Sequence, residues 1–149
     1  MAVTSTLLGS ILAAPRPNAM TKQEHIAHWM TGANLNWQEA GKMFADATYV
    51  PCLFWLHLSF EKLAKALWVQ DNGGNTPPFT HNISKLLSET SLVLSPAQAK
   101  FVQQLNTFQL EGRYESYTMQ LRQGATKVFT QHVLHEANDL RQCILKQLP

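Results

Sequence analysis

His57, Glu61 and Lys65 stand four residues apart, with Lys62 beside them, on a segment that is otherwise almost wholly apolar. On a helix this spacing stacks an imidazole, a carboxylate and an ammonium along one face. A largely buried helix has few reasons to keep two lysines and a histidine. One reading is therefore a cleft in which Lys62 or Lys65 meets a phosphate. The other is an ordinary solvated face, with Glu61 and Lys65 as an i,i+4 pair. His81 follows Pro77-Pro78 at the expected start of a short helix. There it could meet an anion together with free backbone N–H groups, or simply bond a nearby carbonyl. Arg113, followed by Tyr114, could fork onto a phosphate or carboxylate, or merely favour a helix C-terminus.

Other chemistries find less support. The pairs His25/His28 and His132/His135 each put two imidazoles on one helix face. Joined they would make a four-histidine metal site; apart they are two surface pairs, and no metal is expected. There is no G-x-S-x-G, no P-loop and no Gly-rich phosphate fingerprint, and Gly73-Gly74 reads as a turn. Cys52 and Cys143 fit no metal or redox spacing and read as reduced, packed thiols. The net charge is +2, from 12 basic and 10 acidic residues, with no long basic cluster. That argues against a dedicated duplex-DNA binder.

The elements that must position these groups are helical. The chain has 149 residues, 45% of them hydrophobic and 15% charged, which suits one domain with a real core. No β-branched alternating runs are joined by a tight turn. No apolar run reaches the roughly 18 residues of a membrane span. LLGSILAA near the N-terminus lacks a preceding basic region, so residues 1–20 read as a loose or packed arm ending at Pro15 and Pro17, and the expected compartment is cytoplasmic.

Thr21 is expected to cap a first short helix, with Glu24 completing a capping box, and Asn34 or Asn36 to cap the next. A break at Thr48–Pro51 precedes a central helix to Gln70 that is apolar on most sides and belongs at the middle of a bundle. Residues 71–80 form a loop, and Thr80 is expected to cap a short helix ending near Thr90. Ser95-Pro96-Ala97-Gln98 opens a helix running towards Gly112, residues 113–123 read as a polar connection, and a last helix begins near Gly124. Its core stripe is Val133, Ala137, Leu140, Ile144 and Leu148. The expected fold is all-α: an up-and-down antiparallel bundle of about five helices plus a short N-terminal one, over residues 21–149.

Three stretches in order are similar to motifs of the HEPN domain family: LFWLHLSFEKLAKALWVQ (53–70), PPFTHNISKLL (77–87) and LNTFQLEGRY (105–114). HIAHWMTGANLNWQEAGKMF (25–44) resembles the family's opening stretch. The resemblance spans about residues 22–148. It implies an all-α bundle that commonly dimerises, a link to nucleotides, and in many relatives a minimal nucleotidyltransferase partner in a toxin–antitoxin pair. Lys62, Lys65, His81, Arg113 and Tyr114 fall at motif positions, and His57 and Glu61 are family-like.

Other relatives are ribonucleases that use an arginine followed four to six residues later by a histidine. Here Arg113 is followed by no histidine until His132, while Arg122 and Arg16 precede His132 and His25 by more than that spacing. Glu115 also stands where the family often has proline. The expected function is thus a non-catalytic module binding a nucleotide or RNA phosphate in a basic cleft. Its site residues are His57, Glu61, Lys62, Lys65, His81, Arg113 and Tyr114, and it needs no cofactor. The alternative is a protein-interaction role beside a nucleotidyltransferase, with Phe54 and Trp55 at the interface. A ribonuclease ranks third, because metal-free cleavage needs a positioned acid or base.

Overall fold

The computed structural model describes residues 19–111 and 113–149. The arm over residues 1–18 and the expected helix end at Gly112 lie outside them. Among the described residues six helices follow one another: α1 (Lys22–Ala45), α2 (Tyr49–Asp71), α3 (Ile83–Ser88), α4 (Pro96–Asn106), α5 (Glu115–Gly124) and α6 (Lys127–Leu145). No strand occurs among the described residues.

α1 begins where Thr21 accepts the Glu24 N–H at 3.2 Å, half of the expected capping box. It then runs unbroken for 24 residues, so the short first helix and the second one are a single element. Asn34 and Asn36 lie inside it rather than capping anything. Asn34 accepts from Arg141 of α6 at 3.3 Å, and Asn36 is buried. Asparagine costs a helix only a few tenths of a kcal/mol, which tertiary packing overrides. The helix stops in a Schellman arrangement: Thr48 N–H reaches Met43 O at 2.9 Å and Ala47 N–H reaches Phe44 O at 3.0 Å. Ala47 sits there at φ 59°, a left-handed conformation that glycine adopts more readily.

α2 returns antiparallel to α1. Ser59 Oγ donates to Ala33 O at 2.7 Å near the middle of the pair. At its far end Lys22 Nζ donates to the carbonyls of Val69, Asn72 and Gly74 at 2.6, 2.7 and 3.2 Å. Those are orphan acceptors at and beyond the α2 C-terminus, which a lysine can satisfy. As its apolar circumference requires, α2 is the core helix: Leu53, Leu56, Phe60, Ala64 and Leu67 are fully buried. Each large side chain so buried contributes about 1.5–3 kcal/mol.

The 72–82 loop is tied back by Asn72 and Asp71. The Asn72 amide donates to Glu89 O at 2.9 Å, and Asp71 accepts from Ser91 N–H and Oγ–H at 2.7 and 2.8 Å. Asn82, not Thr80, caps α3, accepting from Lys85 N–H at 3.2 Å. Thr80 instead accepts the Asn82 N–H at 3.1 Å, so the helix starts two residues later than expected. α4 carries the full Ser95/Gln98 capping box, with bonds of 2.9 and 3.1 Å. It ends earlier than expected, at Asn106. Most of the stretch 113–123, read from sequence as a connection, lies in α5; Tyr117 and Leu121 are on its half-buried side, and none of its residues is buried. α6 buries the expected stripe at Val133, Ala137, Leu140 and Ile144. Gln98 near the start of α4 reaches Cys143 near the end of α6, so α4 runs against α6 as α1 runs against α2. The result is an up-and-down bundle of α1, α2, α4 and α6, with α3 and α5 as short links.

Candidate functional site

Glu61 is the hub of a polar cluster inside this bundle. The i,i+4 spacing places His57 one turn before it and Lys65 one turn after, on the side of α2 that faces the end of α4. Lys65 Nζ donates to Glu61 Oε1 at 2.9 Å. The same ammonium lies 5.1 Å from the Trp29 ring centroid, a cation–π contact. His57 is fully buried, and its Nδ1 donates to Leu105 O at 3.0 Å, tying α2 to α4. Its Nε2 stands 3.4 Å from Glu61 Oε2, long for a hydrogen bond, and has no aligned partner. From outside α2, His81 brings Nδ1 to 3.1 Å from the same oxygen. Burial is the largest influence on the Glu61 carboxyl and pushes its pKa up. Contacts from His57, Lys65 and His81, with the Lys65 charge, outweigh it and hold the pKa at about 2.

His81 reaches this hub because an asparagine staples its loop to α4. Asn106 Oδ1 accepts the Ile83 N–H at 2.9 Å, and its amide donates to Asn82 Oδ1 at 3.1 Å and Ser84 Oγ at 3.0 Å. The N–H groups of Asn82, Ile83 and Lys85 are thus taken by side chains, which leaves fewer free backbone donors at this helix start than expected. Between the loop and the segment after α4 opens a pocket of about 300 Å³, lined by Thr80, His81, Asn82, Asn106, Gln109 and Arg113. Every lining side chain is polar. The Arg113 guanidinium lies 4.7 Å from the Tyr117 ring centroid. The Tyr117 hydroxyl in turn donates to Thr107 O, fixing the start of α5 against the end of α4.

Of the seven residues expected from sequence, four meet: His57, Glu61, Lys65 and His81. Arg113 lines the pocket beside them. Lys62 does not join, because one residue along a helix is about 100° around it. Its stem crosses α1 at Gly32, where a Cβ would lie 3.1 Å from Lys62 Cδ. It lines a separate groove of about 370 Å³ with His28, Trp29 and Leu35. Tyr114 is exposed and lies outside the pocket lining. Lys65 is buried against Glu61 rather than presented to solvent, so the cationic side chain in the pocket lining is Arg113, with the His81 imidazole beside it.

Sequence reasoning missed Asn106, Gln109 and Phe79. Phe79 is 98% exposed, its ring centroid 6.4 Å from that of His81. All three lie within the motif stretches 77–87 and 105–114, and for Phe79 an aromatic beside a proline pair is the signal the sequence offers. A larger, mostly apolar cavity of about 570 Å³ lies between the α1–α2 turn and α5, with Arg122 its one charged lining side chain. His25/His28 on α1 and His132/His135 on α6 form no group able to hold a metal among the described residues. No helix of the described residues is long and apolar enough to cross a membrane.

These features define a helical bundle with a polar pocket, lined by one histidine and one arginine, where two loops meet. The chain belongs to the HEPN domain family, whose family model matches residues 26–148. Membership ties it in general terms to a nucleotide- or RNA-related role. Searches of curated proteins and of solved structures found no significant match.

Proposed function

We propose that the chain is a non-catalytic binding module that takes a phosphate of a nucleotide or RNA in the pocket between the α3 loop and the segment after α4. The observation that carries this reading is the His81–Arg113 pair on one polar pocket, with His81 oriented from behind by a buried, ionised Glu61. Arg113 supplies a fork of N–H donors to phosphate oxygens, His81 supplies a directional ring nitrogen, and Asn106 and Gln109 supply neutral polar groups. Phe79 offers an exposed face on which a base can stack. Lys65, His57 and Glu61 act as positioning residues behind His81.

The test is a calorimetric titration of ATP, AMP and a short single-stranded RNA into the wild type and into His81→Ala and Arg113→Ala. Loss of a charged donor to phosphate weakens affinity by about tenfold or more. Unchanged affinity in both variants refutes the site.

A second reading has its own observation. Phe54 and Leu58 lie one turn apart on α2, half-buried and outside the core cluster, while Trp55 packs against that cluster. Phe54 and Leu58, rather than Trp55, would then meet a second copy of the chain in a homodimer or a nucleotidyltransferase partner. Phe54→Glu with Leu58→Glu leaves ligand affinity intact and abolishes any such assembly in sedimentation velocity.

A further inference from the structure

His81 stands between two carboxylates of different kinds. Its Nδ1 lies 3.1 Å from Glu61 Oε2 and its Nε2 3.5 Å from Glu111 Oε2. Glu61 is buried and contacted by Lys65 and His57 as well. The Glu111 side chain is 62% exposed, and His81 is its one ion-pair partner among the described residues. Its backbone is anchored, since Glu111 N–H donates to Oε1 of buried Gln109 at 2.8 Å. Arg113, two residues on, has no carboxylate within ion-pair distance among the described residues and rests on Tyr117 instead. Glu111 therefore spends its charge on the outward nitrogen of His81, the atom that a ligand oxyanion in the pocket would use.

We propose that Glu111 is a specificity-determining residue of this pocket, a resident carboxylate that a ligand phosphate must displace from His81 and that then disfavours ligands in proportion to their negative charge. The inference rests on the phosphate-pocket reading above. A carboxylate displaced from His81 stays tethered by an anchored backbone, within a side chain's length of the incoming phosphate. At about 4 Å in water, two like charges weaken association about threefold per ligand charge once salt screening is included. The pocket then prefers a singly charged phosphodiester to a nucleoside triphosphate.

The experiment is a titration of wild type, Glu111→Gln and Glu115→Gln with ATP, AMP and the dinucleotide ApA, which carries one phosphodiester. Glu111→Gln is expected to tighten ApA about threefold and ATP about tenfold or more, with AMP between. Glu115→Gln removes an equal charge from a residue without contact to His81 and is expected to change each affinity less than twofold. Binding by Glu111→Gln where the wild type shows none also supports the proposal, since removing the competitor exposes the site. An equal gain for all three ligands, no gain, or the same gain from Glu115→Gln overturns the role of Glu111 and leaves the pocket standing. Absence of binding by both the wild type and Glu111→Gln overturns the pocket and the proposal together.

Discussion

Replacing Glu61 by glutamine keeps the shape of the side chain and removes the charge at the centre of the cluster. In the wild type this carboxyl has a pKa of about 2 against an ordinary 4.5, so its ionised form is stabilised by folding. A depressed carboxyl contributes stability that is present above its unfolded pKa and lost as pH falls through its folded pKa. Two and a half units correspond to about 3 kcal/mol, on the order of what breaking a buried pair by removing one partner costs. The variant should therefore be less stable by about 3 kcal/mol at pH 7, leaving the Lys65 ammonium buried against Trp29 without its carboxylate. Below pH 4.5 the wild-type carboxyl begins to protonate in the unfolded chain, and the gap should narrow to under about 1 kcal/mol near pH 2.5. Urea unfolding of both proteins at a series of pH values from 7 to 2.5 reads this directly, with unchanged m-values as the check on two-state behaviour. A penalty below about 1 kcal/mol at pH 7, or one that does not shrink with acid, would refute the claim that Glu61 is held ionised by its neighbours.

Asn106→Ala removes the acceptor of the Ile83 N–H and two further bonds, and should cost about 1–3 kcal/mol in urea unfolding while weakening ligand binding, because the His81 loop loses its anchor. An unaltered ligand affinity would show that the loop is held without it. Ala47→Gly relieves a left-handed alanine and should raise stability by about 0.5–1 kcal/mol; a lower melting temperature would contradict the strain. Lys62→Ala should leave ligand affinity within about twofold while Arg113→Ala loses about tenfold, since only Arg113 lines the pocket. Equal losses would place Lys62 in the site after all.

The parts of this fold that a sequence states most clearly are those decided locally. Ser95 and Gln98 form their capping box because both partners lie within one turn, and α2 is central because its apolar residues leave no other place for it. α1 is harder: Asn34 and Asn36 look like caps, yet α2 packs along it and Arg141 of α6 holds Asn34, which makes one helix better than two. Asn82 and Thr80 both offer a capping oxygen two residues apart, and contact with Asn106 decides between them. α5 buries so little that neither periodicity nor composition marks it. The site divides in the same way. The His57–Glu61–Lys65 ladder follows from helical spacing alone. The addition of His81 depends on a loop stapled to α4, and the separation of Lys62 depends on which side of α2 faces Gly32 of α1.

The most direct test of the central claim is to titrate AMP into the ¹⁵N-labelled protein and map which backbone amide signals move. The largest movements are expected at Thr80, His81, Asn82, Asn106, Gln109 and Arg113, with the Lys62 groove at Thr31 and Leu35 unmoved. Movements centred on that groove, or on Phe54 and Leu58 of α2, would contradict the claim.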